Sequence, residues 1–471
     1  MAACAGPSSY APRTTQARGA VPILREHLGG FLERLDERAG SLPAFVKDEL
    51  EAFVGCGDFE RGFMLAACRR CGEQVRVPFS CKGRGFCPSC LGRRMAEGAA
   101  LLVDEVLPPV GYRQWVLTFE GSMAVRLGYD SELLCRVSRC FAHRVSQHVR
   151  RAVKRHHGLP SMANLQAGVL SVVQRFRADL GLFVHLHDLV TDGAFAELED
   201  GSVKWYAAPP PTDDDLRRIL TALARDLDGL TDDDLDVDEG LSACAQLSLS
   251  GPSFAKPSIA PSPPAEPLVA SGFGMRVHAA TVVDGRDRRR LERVCRYLLR
   301  PPFAQDAIEA LPDGRVRVHF KKPTRWGTSF VDLDIDTFLA RLVALVPPPR
   351  VHLVRHYGVF ANRHRLRPRI VPQRDACPTQ PRQLPLFVDT AGLVPLRSAF
   401  QLPPVREPRR LSWARLLARV FSIDVTICQR CQGPMRILQA VTHPDEIARL
   451  LHRARAPPRP SPPGQQPLFA A

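Results

Sequence analysis

Apolar residues recur with two different spacings along the chain, and each spacing predicts its own kind of element. Helical spacing predicts helices at 21–55 (in two segments), 97–107, 131–156, 212–223, 286–299, 336–346 and 412–420. Alternating or continuous apolar runs predict strands at 114–119, 168–176, 182–190, 275–283 and 316–320. The runs at 168–176 and 182–190 are close enough to form a hairpin, so the pattern favours an α+β fold.

Composition divides the chain into segments. At 471 residues it is long enough for roughly three domains. Stretches rich in acidic residues, Pro or Ser at about 230–270 and at 367–410 cannot bury enough apolar surface to fold alone, which predicts an insert and a linker. The predicted units are 21–107, 108–366 with that insert, and a small C-terminal element at 411–455 that contains a helix and a Cys-x-x-Cys turn.

The chain is strongly basic. It carries 64 Lys and Arg against 49 Asp and Glu, a net charge of +15, although the segment 197–239 is acidic. This balance indicates a polyanionic partner, and the excess of arginine suits bidentate phosphate contacts or reflects GC-rich coding. No apolar stretch approaches the ~18 residues of a membrane span, and the first thirty residues lack the continuous apolar run typical of a secretory signal. We therefore expect no membrane association and a cytoplasmic location.

Cysteines cluster near the N terminus. Cys68 and Cys71 form one Cys-x-x-Cys knuckle and Cys87 and Cys90 a second, at a spacing that lets four thiolates surround one Zn²⁺. Four sulfur ligands leave no open position, so the predicted zinc is structural. Cys81 and Cys56 are spare in this scheme. The adjacent Arg93 and Arg94 are candidate DNA contacts.

A third knuckle lies near the C terminus. Cys428 and Cys431 supply only two ligands, and His443 is a candidate third. The alternative is a pair of packed thiols.

Two histidines alternate on one predicted strand. The period of two places His185 and His187 on the same face, where two imidazoles can chelate one ion, although a pair of core histidines fits the pattern equally well. A hairpin turn at 179–180 or 180–181 pairs Gln174 with one of them and makes it a candidate third ligand.

A tyrosine lies on the most arginine-rich helix. Tyr297 sits among seven arginines between 286 and 300, of which Arg293, Arg296 and Arg300 lie nearest to it. Cations beside a phenol stabilise the phenolate and neutralise a phosphate, as a tyrosine nucleophile at a phosphodiester requires. On the residues alone, a structural role is slightly favoured over a nucleophilic one: Tyr297 would lie at the edge of the protein core, on a helix whose arginines bind phosphate.

Together these motifs resemble the rolling-circle insertion-sequence transposases of bacteria, the HUH tyrosine transposases with an N-terminal zinc-binding domain, and especially their single-tyrosine common-region branch. The resemblance runs from about 21 to 367. Its motifs are Ser80-Cys-Lys, Cys87-Pro-Ser-Cys90-x-x-Arg-Arg94, Gln114-Trp-Val-Leu, Gln174-Arg-Phe, His185-x-His187-x-Leu-Val-x-Asp-Gly193 and Leu291-Glu-Arg-x-Cys-Arg-Tyr297-x-x-Arg-Pro-Pro302.

The resemblance implies a zinc-binding DNA-contact domain at 21–107 and an HUH endonuclease domain with an antiparallel sheet and flanking helices at 108–366. It also implies DNA transposition: single-stranded DNA of transposon ends is nicked and joined to target DNA through a 5′-phosphotyrosine on Tyr297. His185 and His187 would hold a catalytic Mg²⁺ or Mn²⁺.

One position departs from the family. Two-tyrosine members carry a second tyrosine one helical turn earlier, where this chain has Arg293. Tyr297 would act alone, with a second subunit, or with a 3′-OH as the next nucleophile. Three alternatives remain open: a zinc-containing DNA-binding regulator without nuclease activity, a metal-dependent nuclease that uses water, and an inactive transposase.

Overall fold

The computed structural model describes residues 19–120, 122–229, 238–250, 267–324, 327–372 and 427–453. The predicted helix at 412–420, most of the predicted linker and most of the insert lie outside the described residues.

Every predicted helix that lies within the described residues has a counterpart there, and those residues contain four further α-helices that the pattern did not predict, at 122–129, 239–250, 367–370 and 444–453. The α-helices are α1 (Ala20–Ala39), α2 (Ala44–Val54), α3 (Pro88–Glu105), α4 (Ser122–Tyr129), α5 (Ser131–His156), α6 (Asp213–Asp226), α7 (Glu239–Ser250), α8 (Arg288–Leu298), α9 (Ile335–Leu345), α10 (Arg367–Ile370) and α11 (Pro444–Arg453). Local chemistry sets several of these ends. Asp130 begins α5 by accepting from the N–H groups of Glu132 and Leu133, and Thr212 and Asp215 form a capping box on α6.

The strands of the described residues form four antiparallel sheets. They are β1 (Phe63–Cys68), β2 (Gln74–Pro78), β3 (Gly111–Phe119), β4 (Leu165–Gln166), β5 (Gly168–Phe176), β6 (Leu182–Thr191), β7 (Gly193–Glu197), β8 (Val203–Ala207), β9 (Val269–Gly272), β10 (Met275–Asp284), β11 (Ile308–Ala310), β12 (Val316–His319), β13 (Phe330–Leu333), β14 (Val354–Gly358) and β15 (Met435–Val441). The largest sheet has six strands in the order β14-β5-β6-β3-β10-β9. This confirms the α+β class with an antiparallel sheet and flanking helices.

Both faces of the six-stranded sheet are covered. Val173, Leu186 and Val190 pack with the buried side of α5 on one face. Leu170 and Leu189 pack with residues of α3 and α8 on the other face. Because β6 lies inside the sheet and is buried on both sides, its polar side chains are held in fixed positions.

The N-terminal sheet is completed from the far end of the chain. Its order is β15-β1-β2, so the C-terminal β15 pairs with β1 from Phe63 opposite Val441 to Cys68 opposite Met435. Sequence analysis predicted a separate C-terminal element and did not foresee this pairing. The predicted domain boundaries themselves stay a prediction.

Part of the predicted insert is ordered helix. α7 buries Leu241 and Cys244 in the core that α1, α2 and α9 share, and Ser248 Oγ accepts a hydrogen bond from the backbone N–H of Leu182. The composition of about 230–270 predicted an insert and did not predict the helix at 239–250 within it. Among the described residues, no helix is long and apolar enough to cross a membrane.

Candidate active site and metal centres

The two histidines lie on the central strand β6, where the predicted hairpin positions Gln174. β5 and β6 pair antiparallel with Gln174 opposite His185, as one of the two predicted registers required. The imidazole rings of His185 and His187 are 4.8 Å apart, centroid to centroid. Both side chains are buried, on the sheet face that α3 and α8 cover.

Hydrogen bonds to Nδ1 orient both imidazoles. His185 Nδ1 lies 2.9 Å from the carbonyl oxygen of Phe183, which can only accept, so Nδ1 carries the proton and Nε2 keeps its lone pair. His187 Nδ1 lies 2.8 Å from the amide nitrogen Nε2 of Gln114, which donates to it in this orientation of the amide. His187 Nε2 is buried without a hydrogen-bond partner. An orphaned imidazole nitrogen of this kind fits a metal ligand.

Burial keeps both histidines neutral. It lowers the pKa of His185 to about 4, and the nearby Arg300 acts in the same direction. Burial also lowers the pKa of His187 well below its usual value, helped by His185 and Arg300. Neutral imidazole is the form that binds a metal ion.

Gln174 joins the histidine strand to the tyrosine helix. Its Nε2 donates to the backbone carbonyls of Tyr297 at 3.1 Å and Leu298 at 2.8 Å. Its Oε1 is buried without a hydrogen-bond partner, which leaves an amide oxygen free beside His185. Among the described residues, no carboxylate, cysteine or third histidine completes a cluster with the two histidines.

Tyr297 lies over this pair on α8. Asp287 caps the start of the helix, and Leu291, Cys295 and Leu298 bury its apolar side. The Tyr297 ring is 48% exposed and its centroid is 6.1 Å from that of His187. The described tyrosines elsewhere have other partners: Tyr112 donates to the carbonyl of Pro108, and Tyr357 bonds Ser138. The structure therefore brings the predicted nucleophile to the predicted metal ligands.

The predicted arginines have different surroundings. The Arg300 guanidinium lies 5.0 Å from the centroid of the Tyr297 ring and 5.0 Å from that of Phe176. Arg296 is paired with Glu292 at 2.7 Å, and Arg293 is exposed. Arg94 donates to the carbonyls of Lys82 and Gly83 and so braces a cysteine loop, whereas Arg93 is exposed.

A cavity of about 800 Å³ opens beside the site. Gln174, Arg300 and His356 line it together with α3 residues such as Arg94. The helices α3 and α8 meet at its edge: a Cβ on Gly98 would lie only 2.9 Å from Leu299 Cδ1. The tyrosine helix is thus packed directly against the helix that follows the cysteine knuckle.

The cysteines assemble differently from the predicted zinc site. One cluster consists of Cys56, Cys81, Cys87 and Cys90, so the two residues regarded as spare are members of it. Cys68 and Cys71 belong to a second cluster with Cys428 and Cys431. The single site Cys68/Cys71/Cys87/Cys90 is therefore not formed, because β1 and β2 carry the first knuckle away from the second.

The first cluster has the geometry of a closed zinc centre. Sγ of Cys90 lies 3.4 Å from that of Cys81 and 3.9 Å from that of Cys56, and Cys87 lies 3.7 Å from Cys56. Four sulfurs about 2.3 Å from a tetrahedral Zn²⁺ would be about 3.8 Å apart. Cys87 caps α3, and the backbone N–H of Lys82 donates to Cys90 Sγ at 3.2 Å.

In the second cluster, Cys68 has the features of a thiolate. The backbone N–H of Cys71, followed by that of Arg70, lowers the pKa of Cys68 to about 6 against the opposing effect of burial. His443, the candidate ligand from the sequence, lies outside the cluster and is largely exposed.

Sequence reasoning missed two kinds of site residue. Gln114 was recognised only as part of a family motif, and its contact with His187 was not predicted. Its position in an apolar strand is a signal, because a buried amide needs a hydrogen-bond partner. Cys56 and Cys81 belong to no Cys-x-x-Cys pair, so spacing alone gave no reason to prefer them.

Two family models match the chain. Residues 23–119 match Zn_Tnp_IS91, the transposase zinc-binding domain, and residues 168–367 match Y2_Tnp, described as "Putative transposase". Neither the search of curated proteins nor the search of solved structures found a match. The matches support a DNA transposase with a zinc-binding domain, and the four thiols of the first cluster fit the structural Zn²⁺ of such a domain.

The two matches point to the same kind of protein. A transposase zinc-binding domain of the IS91 type followed by a Y2 transposase domain supports an IS91-type rolling-circle transposase. The resemblance drawn from the motifs is confirmed at this level.

Proposed function

We propose that this transposase nicks single-stranded DNA at transposon ends through a covalent 5′-phosphotyrosine on Tyr297. The observation that carries the proposal is the 6.1 Å between the Tyr297 and His187 rings, with an exposed phenol and two buried, neutral imidazoles. The alternative is that Tyr297 is a non-catalytic tyrosine at the edge of the core. That alternative does not explain why polar atoms of His187 and Gln174 beneath it are buried without hydrogen-bond partners.

The reaction exchanges one phosphoester for another. Tyr297 Oη attacks the scissile phosphorus, an Oη–P bond forms, and the bond from phosphorus to the 3′ oxygen breaks. The phenol loses its proton to solvent and the departing 3′ oxygen gains one, so a 3′-OH and a 5′-phosphotyrosine result. Arg300, over the tyrosine ring, is placed to neutralise charge on the phosphate.

His185, His187 and Gln174 would hold the divalent cation. The amide oxygen suits Mn²⁺ or Mg²⁺, and the two Nε2 atoms add the imidazole ligands that first-row transition metals accept. Two of these three atoms, His187 Nε2 and Gln174 Oε1, are buried without a hydrogen-bond partner. When bound, such a cation polarises the scissile phosphate. Gln174 also positions the nucleophile, because its Nε2 donates hydrogen bonds to the backbone carbonyls of Tyr297 and Leu298 and so holds the end of α8 next to β5.

The strand-transfer step uses one tyrosine per subunit. The position one turn before Tyr297 is the exposed Arg293, so the covalent strand cannot pass to a second tyrosine on the same helix. A 3′-OH of donor or target DNA, or Tyr297 of a second copy, would resolve the intermediate. The cavity beside Gln174 and Arg300 is within the ~300–1,000 Å³ range of ligand pockets and would admit the nucleotides that flank the scissile bond.

The test is adduct formation on labelled single-stranded DNA from the two flanks of the gene, with Mn²⁺ or with EDTA. We expect an SDS-stable protein–DNA band that needs Mn²⁺ and is absent in Tyr297→Phe. Tyr206→Phe is the matched control, because Tyr206 stacks on His157 away from the site. Cleavage without an adduct would replace the proposal with a water-using nuclease, and binding without cleavage would favour a regulator or an inactive transposase.

A further inference from the structure

The second cysteine cluster joins parts of the chain that are more than 350 positions apart. Sγ of Cys68 lies 3.4 Å from Sγ of Cys431, and Sγ of Cys71 lies 3.6 Å from Sγ of Cys428. A disulfide would need about 2.05 Å, whereas tetrahedral Zn–S bonds of about 2.3 Å place sulfurs about 3.8 Å apart. The contacts are close to the second value.

The two knuckles have the same local fold. The N–H of Gly72 bonds the carbonyl of Cys68, and the N–H of Gln432 bonds the carbonyl of Cys428, so each Cys-x-x-Cys closes the same tight turn. In each turn the residue after the second cysteine has a positive φ, 74° for Gly72 and 57° for Gln432. Two such turns facing each other present four sulfurs from opposite sides, as a zinc ribbon does.

Backbone contacts hold the knuckles together. The N–H of Arg69 donates to the carbonyl of Pro434 at 2.9 Å. Gly433 packs so closely that a Cβ there would lie 2.7 Å from Arg70 Cβ and 3.2 Å from Sγ of both Cys68 and Cys431. A side chain at this position would push the four sulfurs apart.

The surrounding sheet and core continue across the same junction. β15 pairs with β1 along its length, and Phe63 and Leu65 share a small core with Val441 and Ile447. This core has few members, so it provides modest stability for a segment that must close a very long loop. A metal cross-link at the end of the strand pair offsets that cost.

We propose that Cys68, Cys71, Cys428 and Cys431 bind a second structural Zn²⁺ that fastens the C-terminal segment 427–453 to the zinc-binding domain. Four thiolates favour Zn²⁺ over hard cations such as Mg²⁺. The zinc-binding domain therefore includes β15 and α11 as integral parts. This inference does not depend on the nicking chemistry.

The first measurement is zinc content of the full chain after gel filtration in metal-free buffer. We expect two Zn²⁺ per chain, and one in Cys428→Ser/Cys431→Ser. Cys68→Ser/Cys71→Ser should also retain one, and so should the variant with all four substitutions, because both pairs hold the same ion. Cys135→Ser/Cys140→Ser, outside both clusters, is the control and should retain two.

A second set of measurements keeps the proposal testable if the serine variants fail to fold. Cys428→His/Cys431→His replaces two thiolates with two imidazoles, so the second cluster still has four ligands and the chain should retain two metal ions. Its Co²⁺ form should lose part of the sulfur-to-cobalt absorption, because two of the sulfur ligands are gone. Hydrogen exchange should speed up at 435–441 in the serine variant and stay unchanged in β6.

Three results would overturn the proposal. The first is that Cys428→Ser/Cys431→Ser retains two Zn²⁺. The second is that the chain shows fewer free thiols than cysteines after chelation without reductant, which would indicate a disulfide. The third is that Cys428→Ser/Cys431→Ser loses one Zn²⁺ without any change in hydrogen exchange at 435–441.

Discussion

The Tyr297 ring lies 6.1 Å from the His187 ring, although one belongs to a helix and the other to the central strand of the sheet. Two contacts fix this relationship. Gln174, paired with His185 across the hairpin, holds the carbonyls of Tyr297 and Leu298, and Arg288 at the start of the same helix donates to the carbonyl of Leu107 just after α3. Both ends of the tyrosine helix are therefore attached to rigid elements.

Gln114 should control metal affinity through His187. The structure has Gln114 Nε2 facing His187 Nδ1. An imidazole that binds a metal through Nε2 must donate from Nδ1, so we expect the Gln114 amide to turn and present its oxygen to His187 when the metal is bound. Gln114→Leu should weaken Mn²⁺ binding by about 10–100-fold. Gln114→Glu, which also accepts from Nδ1, should bind at least as tightly as the parent chain. Isothermal titration measures both, and equal affinities for all three chains would show that the contact does not orient a ligand.

Arg300 and Arg293 should affect different steps. Arg300 lies over the tyrosine ring, so Arg300→Ala should slow single-turnover adduct formation by about 100-fold. Arg293 is exposed on the same helix, so Arg293→Ala should lower the slope of DNA affinity against salt by about 0.7 and leave the single-turnover rate nearly unchanged. Rapid-quench kinetics and binding titrations separate these effects, and the reverse pattern would exclude the assigned roles.

The packing of α3 against α8 should set the position of Tyr297. Gly98→Ala places a methyl 2.9 Å from the end of the flexible Leu299 side chain, which can move, so activity should remain within about threefold. Gly98→Leu cannot be accommodated in this way and should reduce adduct formation by about tenfold or more, with the zinc content unchanged. Full activity in Gly98→Leu would mean that α8 is positioned by other contacts.

Asp188 should make the protein less stable at neutral pH than in weakly acidic solution. It lies on β6 facing away from the histidines, and burial raises its pKa to about 7 against the opposing effect of Ser171. The folded state therefore binds this proton more tightly than the unfolded chain, and stability falls as pH rises from about 4 to about 7. The full cost is about 4 kcal/mol as an upper bound.

Asp188→Asn removes that charge. It should raise the denaturation midpoint most at pH 8 and by about a third as much at pH 5, where only part of the loss has occurred, whereas the exposed control Asp228→Asn should do neither. Urea unfolding at the two pH values measures the difference, and a loss of stability in Asp188→Asn at pH 8 would contradict this account.

The fold and the positions of several candidate site residues could be predicted because they depend on local patterns. The alternation in β5 and β6 placed Gln174 beside His185, and the arginine-rich helix around Tyr297 was evident from the sequence. The grouping of cysteines could not be predicted, since it depends on contacts between distant segments. Spacing favoured Cys68 with Cys87, whereas β15 brings Cys428 and Cys431 to Cys68 and Cys71.

Helix α7 shows a second limit. Its neighbours are rich in acidic residues, Pro and Ser, and composition averaged over the interval concealed a short helix that buries Leu241 and Cys244 against α9. Gln114 shows a third limit, because a single polar residue in an apolar strand does not reveal its partner.

Mass spectrometry of the covalent adduct tests the central claim most directly. After incubation with Mn²⁺ and single-stranded transposon-end DNA, nuclease digestion leaves a short nucleotide on the attacking residue. Trypsin then releases the segment 297–315, in which Tyr297 is the one tyrosine. The account predicts the mass of a 5′-phosphorylated nucleotide on Tyr297. Cleaved DNA with an unmodified 297–315 peptide, or the nucleotide on another residue, would contradict it.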